Sequence, residues 1–232
     1  MNATGTLKIF SDVQQGEPEW HDLRRGMMTA STIGQFITPK TIKPAANDKT
    51  RAMAYQLVAE RITGRTEDTY VSRDMEIGHI VEPLARDLYS ETYEPVEEIG
   101  FMVLTEDRYV AGYSPDGAVG ADGLIEIKRH LPKLHLELIL NNEIPSIHLA
   151  QCQMGLFISG RRWLDYLSYC GGMPMWRKRV HPNGDWFEAI EQVLCDFETQ
   201  AAQMISTYTA ATNGLPDTPY VDDYFPEIEL QL

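Results

Sequence analysis

A stretch in the middle of the chain decides the fold: Ser114-Pro115-Asp116-Gly117, followed by Asp122-Gly123-Leu124-Ile125-Glu126-Ile127-Lys128. Residues i and i+2 of an extended segment share a face, so Glu126 and Lys128 point the same way. Asp122-Gly123 separates two apolar runs, which predicts a tight turn and an antiparallel pairing of the strands on either side. The carboxylates of Asp116 and Glu126 would then meet beside the Lys128 ammonium.

Two acids and a lysine on one sheet face fit metal-dependent phosphodiester cleavage. A divalent cation neutralises the phosphate, supplies hydroxide and stabilises the leaving oxygen, and carboxylate oxygens are its preferred ligands. Lys128 would lower the pKa of an attacking water or stabilise the transition state, and the Ile127 carbonyl would add a further ligand. The alternative places Asp116 in a Pro-Asp-Gly turn and pairs Glu126 with Lys128 on a solvated strand face.

Further polar residues stand where such a site would need them. Glu82 lies on the apolar stripe of a predicted helix and would need a cation as partner, although a half-exposed glutamate also fits. Gln151 and Gln153 are two apart in a predicted helix, so at most one enters a site; Gln151 would orient water or phosphate, or be an exposed helix residue. Arg24 and Ser31 would bind a phosphate between a guanidinium and free helix N–H groups, unless Ser31 is a simple N-cap.

The composition indicates one domain without a membrane segment. The chain has 232 residues, 43% of them hydrophobic, which suffices for a substantial core. The first twelve residues, MNATGTLKIFSD, have no basic segment followed by an apolar run, and no window approaches the roughly 20 apolar residues of a membrane span. The three cysteines and six histidines lack metal-ligand spacing. We therefore expect a cytoplasmic protein without a signal peptide.

The net charge of −14 is unusual for a protein that contacts phosphates. Residues 213–232 hold five acids and no lysine or arginine, so residues 1–212 carry a net charge of −9. DNA binding would need basic residues gathered in one groove and should depend strongly on salt. The candidate clusters, each of which also fits a solvated surface patch, are Arg24-Arg25, Lys40/Lys43/Lys49/Arg51, Lys128-Arg129 with Lys133, Arg161-Arg162 and Arg177-Lys178-Arg179.

The pattern of apolar residues predicts helices and strands in the order α, β, α, β, α. Helices are expected at 18–24, 32–37 (with Ser31 as N-cap), 49–63, 75–93, 132–141, 147–158 and 186–209. Strands are expected at 96–104, 109–113, 117–120, 124–129, 163–170 and 175–180, the first four as an antiparallel meander. Pro83 predicts a kink or a helix start just before it. The expected fold class is α/β, with a central mixed sheet flanked by helices in a single domain, 1–212, followed by an acidic, proline-containing tail, 213–232.

In this order the residues resemble those of the lambda-type phage exonucleases, also called YqaJ-type viral recombinase nucleases, of the PD-(D/E)XK superfamily. The resemblance covers most of the chain. The acid-acid-lysine core alone is degenerate, but five motifs in series are specific. They are Trp20-His21-Asp22-Leu23-Arg24-Arg25-Gly26 with Thr29-Ala30-Ser31; Glu82 in a Glu-x-x-Ala-Arg run; Ser114-Pro115-Asp116-Gly117; Gly123-Leu124-Ile125-Glu126-Ile127-Lys128; and Ala150-Gln151-x-Gln153.

The resemblance implies a restriction-endonuclease-like α/β core with a two-metal site. It also implies an exonuclease that needs Mg²⁺, with Mn²⁺ able to substitute, and that digests the 5′-ended strand of duplex DNA to leave a 3′ overhang. The site residues that it implies are Asp116, Glu126, Ile127 (through its carbonyl) and Glu82 for metal, Lys128 and Gln151 for activating the nucleophile, Arg24 and Ser31 for the 5′ phosphate, and Trp20 beside the DNA end.

The family also implies partners: a homotrimeric ring around DNA and a single-strand annealing protein, in the bacterial cytoplasm and of phage or prophage origin. A ring would let an acidic protein hold DNA in a basic channel. Two departures stand out. Pro39-Lys40 replaces the family's proline-arginine phosphate contact, and Arg129-His130-Leu131-Pro132 follows Lys128 where a cysteine-proline pair is usual. The alternative functions are a structure- or sequence-specific endonuclease on the same core, or a catalytically inactive DNA-binding module, against which the complete acid-acid-lysine set argues.

Overall fold

The computed structural model describes residues 5–66 and 73–220 of the chain. Within these ranges the helices are α1 Pro18–Arg24, α2 Asp48–Thr63, α3 Arg73–Thr92, α4 Pro132–Asn141, α5 Ser146–Ser159 and α6 Gly184–Thr212, and a 3-10 helix covers Ile33–Gln35. The strands are β1 Thr6–Phe10, β2 Met28–Thr29, β3 Ile37–Thr38, β4 Lys43–Pro44, β5 Phe101–Thr105, β6 Val110–Tyr113, β7 Gly117–Val119, β8 Gly123–Arg129, β9 Trp163–Tyr169 and β10 Trp176–Val180.

Helix α2 begins one residue before the predicted range of 49–63 and ends at the predicted residue. The side chain of Asn47 accepts hydrogen bonds from the main-chain N–H groups of Lys49 and Thr50, which have no partner within the helix. Gly64 ends the helix in the left-handed region at a φ of +66°, a conformation that strains residues with a Cβ. Both ends therefore follow from local chemistry.

Helix α3 continues through Pro83, so the predicted alternative of a helix start just before the proline is wrong. Proline has no N–H to bond the carbonyl of His79 one turn earlier, and Pro83 lies on an exposed face. Because the helix is continuous, Glu82 and Arg86 stand one turn apart on the same face.

The strands form two mixed four-stranded sheets and a small hairpin. The first sheet has the order β1-β5-β6-β2 and the second β10-β9-β8-β7, and each contains one parallel pair, β2 with β6 and β8 with β9. This confirms the α/β class with mixed sheets and flanking helices. The predicted four-stranded meander is wrong, because the chain changes sheet between β6 and β7. Pro115 lies at that change and has no N–H to extend a ladder.

The predicted antiparallel pairing of the two motif-bearing segments is confirmed, with Gly117 opposite Ile125 and Val119 opposite Gly123. The turn itself spans residues 120–122, with Gly120 at a φ of +51°, so the prediction of Asp122-Gly123 was too late. A Cβ at Gly123 would collide with the indole of Trp163 on β9. Gly123 is therefore required for strand packing rather than for the turn.

No α-helix begins at Ser31, and the predicted N-cap role and helix at 32–37 are wrong. Thr32 caps the 3-10 helix, and its hydroxyl accepts a hydrogen bond from the Thr29 N–H (3.1 Å) and donates to the Thr29 carbonyl (2.9 Å). This local loop competes with helix formation. Strand β1 was not predicted; it pairs with β5 but is largely exposed and lacks a clear alternation of apolar residues.

Helices α3 and α5 cover opposite faces of the second sheet. On the α3 face, Ile125 and Ile127 of β8 pack with Tyr89. On the α5 face, Leu124 joins the larger core cluster, which includes much of α5 and α6. Glu126 shares this second face because it alternates with the two isoleucines. The alternation therefore puts a carboxylate, with none of its surface exposed, against helix α5.

The α3 face of the second sheet also holds a buried ionic cluster. Asp165 of β9 is fully buried, and Tyr89 donates to it at 2.7 Å. Arg179 contributes two hydrogen bonds (2.8 and 2.9 Å) and Arg177 one (3.1 Å). Burial alone would raise the pKa of Asp165, but the bonds from Arg179 and Tyr89 outweigh it, so the pKa is lowered. This cluster ties β10 and α3 to β9.

Among the described residues, no helix is both long and apolar enough to cross a membrane. Helix α6 ends at Thr212, and residues 213–220 contain neither helix nor strand. Residues 221–232 of the predicted tail lie outside the described ranges. The division into a domain, 1–212, and a tail, 213–232, stays a prediction.

Candidate active site

Asp116 and Glu126 lie side by side at the start of β7 and the middle of β8. The pairing of Gly117 with Ile125 brings Asp116, the residue just before β7, next to Glu126. The Oδ2 atom of Asp116 accepts a hydrogen bond from the Ile127 N–H at 2.5 Å. The solvated strand face of the alternative interpretation is excluded, because Glu126 is fully buried.

Two donors converge on one oxygen of Glu126. Lys128 Nζ lies 2.6 Å from Oε1, and Gln151 Nε2 lies 2.5 Å from the same atom. Tyr113 donates to Oε2 at 3.3 Å. Gln153 faces elsewhere and bonds the carbonyl of His181, so Gln151 is the glutamine of α5 that enters the site.

Burial and neighbouring charges shift the pKa values of the two acids and of Lys128. Burial raises the pKa of Glu126 to about 7 and that of Asp116 to about 6, and repulsion between carboxylates adds to both shifts. Burial alone would lower the pKa of Lys128, but the charges of Glu126 and Asp116 outweigh it and raise the pKa. In the metal-free protein the two acids thus favour the charged form of Lys128, whereas burial disfavours their own charged forms, a cost that a further cation would offset.

Arg86 holds the edge of the site that Glu82 occupies. Its guanidinium donates to Oε1 of Glu82 at 2.8 Å and to the main-chain oxygen of Asp116 at 3.0 Å, and it also pairs with Glu98. Burial raises the pKa of Glu82, and Glu126 is close enough to add to the shift. The sequence interpretation overlooked Arg86, although it ends the Glu-x-x-Ala-Arg run one turn after Glu82.

Tyr113 was also overlooked. It is fully buried at the end of β6, and burial raises its pKa well above the usual value, so it stays a neutral donor to Glu126. A Cβ at Gly155 of α5 would come within 2.7 Å of the Tyr113 ring. Gly155 thus allows the close approach that brings the phenol to Glu126. Only the packing of α5 on β6 reveals this contact.

The three residues predicted to meet a DNA end form one group, which Ser114 links to the segment that carries Asp116. The Arg24 guanidinium lies 3.9 Å from the centroid of the Trp20 ring and donates to the Ser31 hydroxyl at 3.2 Å. Trp20 is 8% exposed and donates to Ser114, two residues before Asp116, at 3.3 Å. Burial lowers the pKa of Arg24. Lys40, which replaces the family's arginine, is exposed between β3 and β4.

A cavity of about 490 Å³ borders the acids. Its walls are residues 11–15, the part of α3 that carries Glu82 and Arg86, residues 98–100 and residues 114–116. It is lined mainly by polar side chains, among them Asp116 and Glu82 but not the buried Glu126, so a polar substrate in it would reach the site from the side of Asp116 and Glu82.

The donor set suits a hard divalent cation. Among residues 5–66 and 73–220, no three His, Cys, Asp or Glu side chains are grouped to hold a metal by themselves. The resemblance assigns a cation to Asp116, Glu126 and the Ile127 carbonyl, with Glu82 at the side, and such oxygen atoms are the ligands that a hard divalent cation prefers. Two buried carboxylates with raised pKa values fit such an ion, because ligation offsets their ionisation cost. The roles of these residues stay predictions.

The fold and the site together define the class of the protein: an α/β protein with mixed sheets and a buried acid-acid-lysine site. A model of the YqaJ-like viral recombinase domain matches residues 19–162. The chain belongs to this family. Its motif-based resemblance to the lambda-type phage exonucleases is therefore confirmed.

Solved structures agree with the family. The alkaline exonuclease LHK-Exo from Laribacter hongkongensis is 28% identical, with a TM-score of 0.76, over 86% of this chain and 100% of that chain. Its complex with dAMP matches over the same shares, with the same identity and a TM-score of 0.73. A phage-related exonuclease from Haemophilus somnus 129PT, 10% identical over 78% of this chain and 96% of that one, has a TM-score of 0.59 and shares the fold. No curated protein matched the chain.

Proposed function

We propose that the chain is a phage-type DNA exonuclease that digests the 5′-ended strand of linear duplex DNA and leaves a 3′ overhang. Membership of the YqaJ-like viral recombinase family and 28% identity with an alkaline exonuclease support the exonuclease activity. The observation that carries the proposal is the convergence of Lys128 and Gln151 on one buried oxygen of Glu126, beside Asp116. The direction of digestion and the metal are finer parts of the same proposal.

Mg²⁺ is the proposed cofactor, and Mn²⁺ should replace it. Asp116, Glu126 and the Ile127 carbonyl would hold the ion, with Glu82 available for a second one. When bound, such ions supply charge neutralisation at the scissile phosphate and a metal-activated water.

The protein's own groups complete the chemistry. Lys128 would place its positive charge 2.6 Å from Glu126, where it can lower the pKa of an attacking water or stabilise negative charge on the phosphate. The Gln151 amide donates through Nε2 to Glu126. This bond fixes the Gln151 side chain, and the amide oxygen of Gln151 is left to accept a hydrogen bond from water. Tyr113 keeps the second oxygen of Glu126 oriented.

The group of Trp20, Arg24 and Ser31 would bind the 5′ phosphate of the DNA end. A guanidinium and a hydroxyl 3.2 Å apart match adjacent phosphate oxygens. The structure of LHK-Exo with dAMP supports the release of deoxynucleoside 5′-monophosphates as products of this chain too. A homotrimeric ring would gather basic residues around the DNA despite the net charge of −14, and a single-strand annealing protein would use the 3′ overhang.

Linear duplex labelled at either the 5′ or the 3′ end tests the proposal. With Mg²⁺, the 5′ label should appear at once as mononucleotide, whereas the 3′ label should stay on a strand that shortens from its own 5′ end; EDTA should stop both reactions. Asp116→Ala, purified in parallel, controls for contaminating nucleases. Early release of the 3′ label would refute the direction. Cleavage of covalently closed circular duplex would favour the endonuclease alternative, and DNA binding without any cleavage would favour the inactive module.

A further inference from the structure

Five polar side chains that have no role in the proposed hydrolysis lie beside Lys128 on the second sheet. Tyr166 and Ser168 of β9 stand opposite Glu126 and Lys128 of β8 in the parallel ladder. They therefore share the α5 face of the sheet with these two residues. Tyr166 and Ser168 are both fully buried, so their hydroxyls need partners within the protein.

Ser168 receives two histidines. His135 Nδ1 lies 2.7 Å and His130 Nδ1 lies 3.0 Å from the Ser168 hydroxyl oxygen. The other nitrogen of His135, Nε2, lies 2.9 Å from the main-chain oxygen of Pro174. His135 is fully buried and His130 is 6% exposed. The two rings thus come from α4 and from the end of β8 to one hydroxyl of β9.

Tyr166 continues the contacts towards α5. His148 Nδ1 lies 2.7 Å from the Tyr166 hydroxyl, and the two rings are stacked at an angle of 27°. The longest contact, 3.5 Å, joins the Tyr166 hydroxyl to Nε2 of His130. We name the five residues the histidine chain: His135, Ser168, His130, Tyr166 and His148.

The Pro174 carbonyl fixes every proton in the histidine chain if the three rings are neutral. A carbonyl only accepts, so His135 carries its proton on Nε2 and accepts at Nδ1 from the Ser168 hydroxyl. Ser168, its single proton used, must accept from His130 Nδ1–H. His130 then accepts at Nε2 from Tyr166, which in turn accepts from His148 Nδ1–H. Each link determines the next.

We propose that the histidine chain positions Lys128 and Gln151, the two donors to Glu126. His130 follows Lys128 by two residues, and His148 lies in the first turn of α5, three residues before Gln151. The histidine chain thus joins the segment that carries Lys128 and the segment that carries Gln151 to β9. Neither segment could shift without breaking a buried hydrogen bond. This inference rests on the proposed function, because it assumes that Lys128 and Gln151 serve catalysis.

Neutral rings also suit the neighbourhood of Lys128. Burial, with the Lys128 charge second, lowers the pKa of His148 to about 3. Burial lowers the pKa of His130 as well. The histidine chain therefore adds hydrogen bonds beside Lys128, and His130 and His148 add no positive charge that would compete with it. Sequence spacing could not reveal it, since its members come from β8, α4, α5 and β9.

Removal of single hydroxyls tests the positioning role. Tyr166→Phe and Ser168→Ala should lower kcat on linear duplex by about tenfold to a hundredfold, with KM within about twofold, as small displacements of catalytic groups do. Tyr89→Phe is the matched control: it removes the same atom from a bond to β9 on the opposite face, and its kcat should stay at the wild-type value. A wild-type kcat in Tyr166→Phe, or an equal loss in Tyr89→Phe, would overturn the inference.

Nitrogen-15 NMR spectra of the imidazoles in the wild-type protein test the histidine chain directly. This test needs neither an activity assay nor a variant that folds. We expect a proton on Nε2 of His135 and on Nδ1 of His130 and His148, with the rings of His130 and His148 neutral at pH 7. The opposite tautomer at His130, or a doubly protonated ring, would refute the assigned polarity. A wild-type protein that leaves DNA intact would instead refute the proposed function, so the two failures are distinguishable.

Discussion

Arg86 donates from Nε to the main-chain oxygen of Asp116 across 3.0 Å, which fastens helix α3 to the turn before β7. The same guanidinium bonds Glu82, and its side chain is only 12% exposed. One cation therefore sets the position of both acids on this side of the site. Its removal would leave a half-buried carboxylate and a carbonyl without their partner.

We predict that Arg86→Gln lowers the free energy of unfolding by about 3 kcal/mol, since it breaks a largely buried ion pair. Mg²⁺-dependent digestion should fall as well, because Glu82 and Asp116 lose a common anchor. Thermal and urea unfolding together with single-turnover assays measure both effects. Arg108→Gln is the control, because the pair of Arg108 with Glu191 is exposed and should contribute less than about 1 kcal/mol. Equal stability of Arg86→Gln and Arg108→Gln would contradict the proposal that Arg86 anchors Glu82 and Asp116.

Lys128→Ala, and the better volume match Lys128→Met, should abolish most turnover. Loss of the fixed positive charge removes stabilisation of the transition state but no metal ligand, so kcat should fall by about 10²- to 10³-fold while DNA and Mg²⁺ still bind. Rapid-quench kinetics and DNA-binding anisotropy separate the two quantities. Lys8→Met, on exposed strand β1, should behave as wild type. Turnover at the wild-type rate in Lys128→Met would refute the electrostatic role of Lys128.

Asp116→Asn should stabilise the metal-free protein while it abolishes activity. The folded-state pKa of Asp116 is raised to about 6, so above pH 6 its ionisation opposes folding by up to about 3 kcal/mol. As the pH falls from 7 towards 4, the folded state takes up the proton and the wild type regains this stability. The advantage of Asp116→Asn should thus be largest near pH 8 and vanish near pH 4.

Chemical unfolding in EDTA between pH 4 and pH 8 measures this difference. Asp122→Asn, which removes an exposed carboxylate from the same hairpin, is the control for the substitution itself. Mg²⁺ should raise the stability of the wild type at pH 8 by mass action and leave Asp116→Asn unchanged. A difference between Asp116→Asn and wild type that stays constant with pH would show that burial does not raise this pKa.

Duplexes with a 5′ hydroxyl should start more slowly than duplexes with a 5′ phosphate, whereas later steps should run at equal rates. Ser31→Ala should reduce this preference by about tenfold, the loss of one hydrogen bond to a charged group. Its hydroxyl is exposed, so the fold should be unaffected. Thr209→Ala, on the exposed side of α6, is the control. Equal initiation on both ends by the wild type would refute the phosphate pocket.

Local chemistry made much of the fold predictable from sequence. Helix α2 lies between Asn47 and Gly64, and helix α4 begins at Pro132, because caps and prolines act within a few residues of themselves. The pairing of the segments that carry Asp116 and Glu126 was predictable for the same reason: a short glycine-containing connection leaves adjacent strands few other partners. Local rules failed at Ser31, because the hydroxyl of the next residue, Thr32, bonds back to Thr29 and closes a turn where a helix was predicted.

The sequence by itself determined the acids, the lysine and their shared sheet face, because the two-residue period of a strand is a property of the backbone. Tertiary structure alone decided that Glu126 is fully buried, that Arg86 holds both Glu82 and Asp116, and that three histidines meet Tyr166 and Ser168. Those contacts join elements separated by up to 38 residues along the chain, and their geometry depends on how helices and sheets pack. Packing follows from the whole core, so no single motif specifies it.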